Sequence, residues 1–113
     1  MLSMTIHGAR LLFVTVIALG MSLWSVPAAA DAAANYKAKC AMCHGADGKG
    51  DTPAGKKMGT RDFASPEVQK TSDIDLIAIT TKGKNKMPAY GGKLSDADIK
   101  DLITYIRQLA KGK

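Results

Sequence analysis

Apolar positions in this chain form one long block followed by a series of short helical stripes. The block, Leu11–Val26, is almost uninterrupted and is broken by Pro27. Far beyond it, Ile99, Leu102, Ile103, Ile106 and Leu109 recur at three- and four-residue spacing, the mark of an amphipathic helix. Ser95-Asp96-Ala97-Asp98 stands ahead of that stripe as a capping box, so the longest helix is expected from there to about Ala110. Ile74, Ile77 and Ala78 make a shorter stripe behind a second capping sequence, Ser72-Asp73-Ile74-Asp75. This helix should reach Lys82 and stop at Gly83, although the β-branched run Ile79-Thr80-Thr81 weakens its last turn. Ser65-Pro66-Glu67 places a cap, then proline at the first helical position, and starts a short helix to about Lys70. Asp31–Cys43 reads as the first helix, rich in alanine, with Asp31 near its positive end. Glycines 45, 48, 50, 55 and 59 make the next stretch a loop, and Gly83–Leu94 a second one. No segment carries strand alternation, so the fold class is all-α with about four helices.

The apolar block changes what counts as the domain. It follows a weakly basic start with no acid, is shorter than the ~20 residues that span a bilayer, and ends in Ala28-Ala29-Ala30. Residues 1–30 therefore read as a cleavable signal peptide, and 31–113 as one exported domain with no membrane insertion after cleavage. A domain of that size barely buries a core of its own and needs a staple. Tyr36, Phe63, Tyr90 and Tyr105 are the only aromatic residues it keeps, which suits a core filled by something other than side chains.

Cys40-Ala41-Met42-Cys43-His44 supplies the candidate staple. Two cysteines separated by two residues, with histidine directly after, is the attachment signature of a c-type haem. Each thiol adds across one porphyrin vinyl group, and positions three apart share a helix face. His44 then meets the iron as the proximal ligand through an imidazole nitrogen. Three other readings compete. A disulfide across so short a loop closes little chain entropy. A thioredoxin-like redox pair belongs in a strand–helix context. Zinc takes four ligands where this chain offers Cys40, Cys43 and His44, His7 being in the leader.

The sixth iron position has two candidates. Met1, Met4 and Met21 lie in the leader, and Met42 is too close to His44 on the proximal side, which leaves Met58 and Met87. Either can instead be a packing methionine. Met87 is favoured because it lies far enough along the chain to wrap to the other face. Pro88 also holds it extended, and glycines flank its loop.

Cys-Ala-Met-Cys-His-Gly-Ala-Asp-Gly-Lys-Gly at 40–50, Met-Pro-Ala-Tyr-Gly-Gly-Lys-Leu-Ser-Asp-Ala-Asp-Ile at 87–99 and Asp-Leu-Ile-Thr-Tyr-Ile at 101–106 resemble a small class I cytochrome c. The closest likeness is to the c6, c-551 and c-553 types, and it covers essentially all of 31–113. The resemblance implies helices wrapped around one covalent haem c, with the terminal helices crossing near Tyr36 and Tyr105. It implies His44 and Met87 as the axial ligands of the iron. It also implies that the carbonyl of Pro53 accepts the second N–H of His44. Lys57-Met58-Gly59-Thr60-Arg61-Asp62-Phe63 departs from the subgroups; Arg61 there is a candidate propionate contact, against the alternative of a solvated surface arginine.

The resulting expectation is a monomeric, soluble one-electron carrier in the periplasm or another exported space, such as a thylakoid lumen. Full ligation of the iron argues against an enzyme. The alternatives are a haem subunit docked on a dehydrogenase or oxidase, or a small haem enzyme with an open sixth site. The net charge of +6 is too modest for a nucleic-acid binder and suits redox proteins with acidic docking surfaces. Lys49, Lys56 and Lys57 flank the first loop, and Lys82, Lys84, Lys86 and Lys93 the second. They are either a docking ring around the haem edge or a scattered solvated surface.

Overall fold

The last helix of the chain, Asp96–Ala110, carries the core. Ser95 accepts from the Asp98 backbone N–H while the Asp98 carboxylate accepts from the Ser95 N–H, satisfying two donors that a helix start leaves open. Ile99, Leu102, Ile103 and Leu109 from its apolar face are all buried, Ile99 completely. The structure is a computed structural model describing residues 28–112, so the expected signal peptide lies outside the described residues except for its last three positions.

Six helices are present in this region: α1 (Ala28–Lys39), α2 (Ala41–His44), α3 (Pro53–Met58), α4 (Pro66–Lys70), α5 (Asp73–Lys82) and α6 (Asp96–Ala110). Among the described residues there is no named strand, only isolated bridges between Lys84 and Met87 and between Gly91 and Leu94. α1 packs across α6 through Ala32 and Tyr36, and the Tyr36 ring meets Tyr105 at 5.2 Å between centroids. Tyr36, Phe63, Leu102 and Leu109 form one cluster, with Cys40, Ala41 and Tyr105 packed against it. The attachment motif thus sits at the edge of the only sizeable apolar cluster among the described residues.

Two expectations about the helices need correction. The first helix is not continuous through Cys43: it ends at Lys39, Cys40 is a turn with φ −117° and ψ −36°, and a second short helix holds the rest of the motif. The glycine-rich stretch also contains α3. Thr52 accepts from the Gly55 N–H at 2.9 Å and Pro53 takes the first helical position, so an N-cap and a proline start outweigh the glycines. The count is therefore six helices, two of them single turns or little more.

α5 does reach Lys82. The hydroxyls of Thr80 and Thr81 bond back to the carbonyls of Leu76 and Ile77 at 2.9 and 2.8 Å, which spends their polar groups inside the helix. Its apolar stripe is narrower than expected, because Ile74 is 79% exposed. Arg107 of α6, unremarkable in sequence, fastens this corner. It bonds the carbonyls of Val68 and Thr71 at 3.3 and 2.6 Å and pairs with Asp73 at 2.9 Å.

Candidate functional site

Cys40, Cys43 and His44 lie around the single turn of α2, and the residues that follow fold back to hold it. The Gly45 N–H closes on the Ala41 carbonyl at 2.8 Å, and the Gly50 N–H reaches the His44 carbonyl at 2.7 Å. Thr52 points its hydroxyl at the carbonyls of Met42 (2.7 Å) and Cys43 (3.1 Å). These are the carbonyls that a helix end leaves without partners. Gly55 lets α3 come in against the same turn: a Cβ there would collide with the Cys43 carbonyl and stand 2.5 Å from that of Gly50. From the other side, Tyr36 donates a buried hydrogen bond to the Gly45 carbonyl at 2.6 Å. Burial, with smaller contributions from Cys40, Tyr105 and Asp47, pushes the Tyr36 hydroxyl far above the usual tyrosine range, so it remains a donor.

His44 stacks on Phe63, with ring centroids 4.6 Å apart and planes 18° from parallel. Its Nδ1 is buried and has no hydrogen-bond partner. A buried polar atom left unpaired costs about 1–3 kcal/mol, and such atoms cluster where a group has another task. Burial also lowers the pKa of the ring, keeping it neutral, the form in which imidazole binds a metal. The residues present therefore fit a haem at this place. The Pro53 carbonyl does not accept the Nδ1 proton here; Pro53 instead heads α3.

The competing readings of the cysteines fare worse. They are not bridged to one another. Burial, opposed by Lys39 and reinforced by Cys43, raises the Cys40 thiol to about 11, the reverse of the acidic thiol of a redox pair. No group of three or more His, Cys, Asp or Glu side chains gathers for a metal ion among the described residues.

Met87 is half-buried in a loop with its own constraints. Lys84 and Met87 exchange backbone bonds of 3.2 and 2.9 Å across a tight turn, made possible by Asn85 at φ 53°. Gly83 admits the loop, since a Cβ there would stand 2.8 Å from the Met87 carbonyl. Past Pro88, the N–H groups of Tyr90 and Gly91 bond the carbonyls of Thr80 and Thr81 at the end of α5, each at 3.0 Å. The Tyr90 hydroxyl donates to the Lys39 carbonyl at 2.9 Å, across 51 residues, which brings this loop to the residue before Cys40. Met58 is 44% exposed, with its sulfur 3.9 Å from that of Cys43.

Arg61 is paired with Glu67 at 2.6 Å on the surface, the solvated alternative to a propionate contact. All seven lysines of the two loops are exposed; Lys56 pairs with Asp51 at 3.0 Å and Lys93 lies 5.7 Å from the Tyr90 ring centroid. Thr52, Gly55 and Phe63 were not singled out from sequence for this site. Thr52-Pro53 carried a usable signal, a cap followed by a helix-starting proline; Phe63 carried none beyond being aromatic.

Residues 27–106 match the family described as cytochrome C oxidase, cbb3-type, subunit III. Cytochrome c6 of Microcystis aeruginosa is 36% identical over 73% of this chain and 99% of its own length. The cbb3-type cytochrome c oxidase subunit FixP of Azorhizobium caulinodans is 35% identical over 83% of this chain, which spans 31% of that protein. Among solved structures, the KustC0563 c-type cytochrome superposes with a TM-score of 0.65 at 34% identity, covering 70% of this chain and 96% of that one.

Proposed function

The chain belongs to the small class I c-type cytochromes, whose cofactor is one covalently bound haem c, and from that premise we propose a soluble one-electron carrier with His44 and Met87 as axial ligands. When bound, the haem supplies a one-electron ferrous/ferric couple. Cys40 and Cys43 hold it, and His44 offers a neutral imidazole already fixed by its stack on Phe63. The loop closures around α2 keep the ring from turning, which keeps reorganisation small when charge changes. With the haem bound, the Pro53 carbonyl is the acceptor proposed for the Nδ1–H of His44, a bond that the structure does not make.

The observation that carries the ligand assignment is the tether between the Met87 loop and the end of α1, Tyr90 to Lys39. It ties the one distant methionine to the attachment turn, whereas Met58 lies on the attachment side itself, 44% exposed, with its sulfur 3.9 Å from that of Cys43. A thioether donor favours ferrous iron and closes the sixth position to small molecules, which fits a carrier better than an enzyme. Met87→Ala should remove the weak red charge-transfer band of the ferric protein, lower the potential and admit carbon monoxide. Met58→Ala should do none of these. The reverse pattern would move the ligand to Met58.

An exported location after removal of residues 1–30, and partners with acidic docking faces, complete this reading. A second one, a haem subunit bound to a terminal oxidase, is favoured by the match to the oxidase subunit family and to FixP. Sedimentation of the protein from its native membranes and soluble fraction separates the two: a carrier is found free, a subunit with the oxidase.

A further inference from the structure

We propose that the Tyr90 hydroxyl is a positioning group for the iron–sulfur bond, clasping the Met87 loop to the broken helix that carries the attachment cysteines. This rests on Met87 being the axial ligand. In a continuous helix the Cys43 N–H would take the Lys39 carbonyl. Here the turn at Cys40 sends that N–H to the Cys40 carbonyl, at 3.2 Å, and the Tyr90 hydroxyl takes the carbonyl of Lys39, at 2.9 Å. The break that sets the cysteines and the clasp that sets the methionine are thus two halves of one arrangement.

The geometry gives the hydroxyl leverage. Tyr90 is three residues from Met87, with only Pro88 and Ala89 between, and proline removes one backbone freedom from that link. The backbone of Tyr90 is itself pinned by the bonds from Tyr90 and Gly91 to α5. Those backbone bonds fix the loop to α5, and among the described residues the hydroxyl supplies the hydrogen bond that ties it to the cysteine-bearing element. The environment agrees: burial raises the Tyr90 pKa, with smaller contributions from Cys40 and Cys43, so the donor keeps its proton. A weak thioether ligand depends on such support, because its bond is readily lost when the loop drifts.

Tyr90→Phe isolates the hydroxyl, since the ring under Lys93 and both backbone bonds remain. In the holoprotein it should increase carbon monoxide binding by the ferrous form about five- to tenfold, the worth of one neutral hydrogen bond. It should also lower the temperature at which the ferric red band is lost. Tyr105→Phe, which removes a hydroxyl from the α1–α6 contact instead, should leave carbon monoxide binding unchanged. Equal effects of the two substitutions would overturn the clasp, because general loosening would then explain both. A Tyr90→Phe protein identical to the parent, beside a Met87→Ala protein that has lost the band, would overturn the clasp and leave the ligand standing. A Met87→Ala protein that keeps the band would overturn both.

Discussion

On the attachment side, residues 40–63 fold back on themselves through short-range contacts: Thr52 on the Met42 and Cys43 carbonyls, Gly50 on His44, Gly55 against Cys43 and Phe63 against the imidazole. On the Met87 side, the loop closes two turns of its own, Lys84–Met87 and Tyr90–Leu94, and otherwise leans on α5 and on the end of α1. The first region holds a permanent covalent anchor and has no need to move. On the proposed assignment the second holds a ligand by one weak bond, and the position of its loop depends on contacts with α5 and the end of α1. Rigidity is local where attachment is covalent and borrowed where ligation is reversible.

That contrast can be broken most completely at the cysteines. Cys40→Ala with Cys43→Ala should yield a chain without covalent haem and largely unfolded, because a domain this small loses its staple. Circular dichroism and acid–organic extraction check it: the parent keeps its haem through extraction, and the double variant has none to keep.

Gly55→Ala attacks the same side more gently. The new Cβ meets backbone at Cys43 and Gly50, which must shift, at a cost of about 1–3 kcal/mol. Thermal unfolding of the holoprotein should show a clear drop in Tm, with Met87 ligation retained at ambient temperature. Loss of the ferric red band in this variant at ambient temperature would mean that the two sides are not separable. Tyr36→Phe leaves the Gly45 carbonyl with the Gly48 N–H as its remaining donor, and should cost about 0.5–1.5 kcal/mol by the same assay.

How far the sequence reveals this molecule differs between the two regions for a related reason. Ser95 and Asp98 and the stripe from Ile99 to Leu109 are local patterns, and both appear in the structure as read; the Cys40–His44 signature is equally local in sequence. The break at Cys40 is not legible locally, because an alanine-rich run ahead of it has every propensity to continue. α3 was hidden by counting glycines rather than weighing Thr52-Pro53 as a cap. Ile74 fits the periodicity of α5 but faces out, since a stripe shows which positions share a face and not how wide the buried face is. The Tyr90–Lys39 bond and the grip of Arg107 on α4 and α5 span dozens of residues, and no window of sequence holds both partners.

The smallest expected effect concerns the surface. Lys84, exposed beside Met87, and Lys57, exposed beside Met58, flank the two regions, while Lys70 lies on α4. Electron transfer to an acidic partner should slow as salt rises, because steering acts over ~8–10 Å at physiological ionic strength. Lys84→Glu and Lys57→Glu should each slow association severalfold and Lys70→Glu much less, measured by stopped-flow with the same partner. Equal effects at all three would make the lysines a general field rather than a docking surface.

A potentiometric titration of the purified holoprotein, followed by its visible spectrum, tests the central assignment of His44 and Met87 most directly. The expected result is a single one-electron step at a potential above that of haems with two nitrogen ligands. The ferric form should show the weak red charge-transfer band, and the ferrous form should not bind carbon monoxide. A low potential with no such band, and ready carbon monoxide binding by the unmodified protein, would contradict it and leave the iron with an open sixth position.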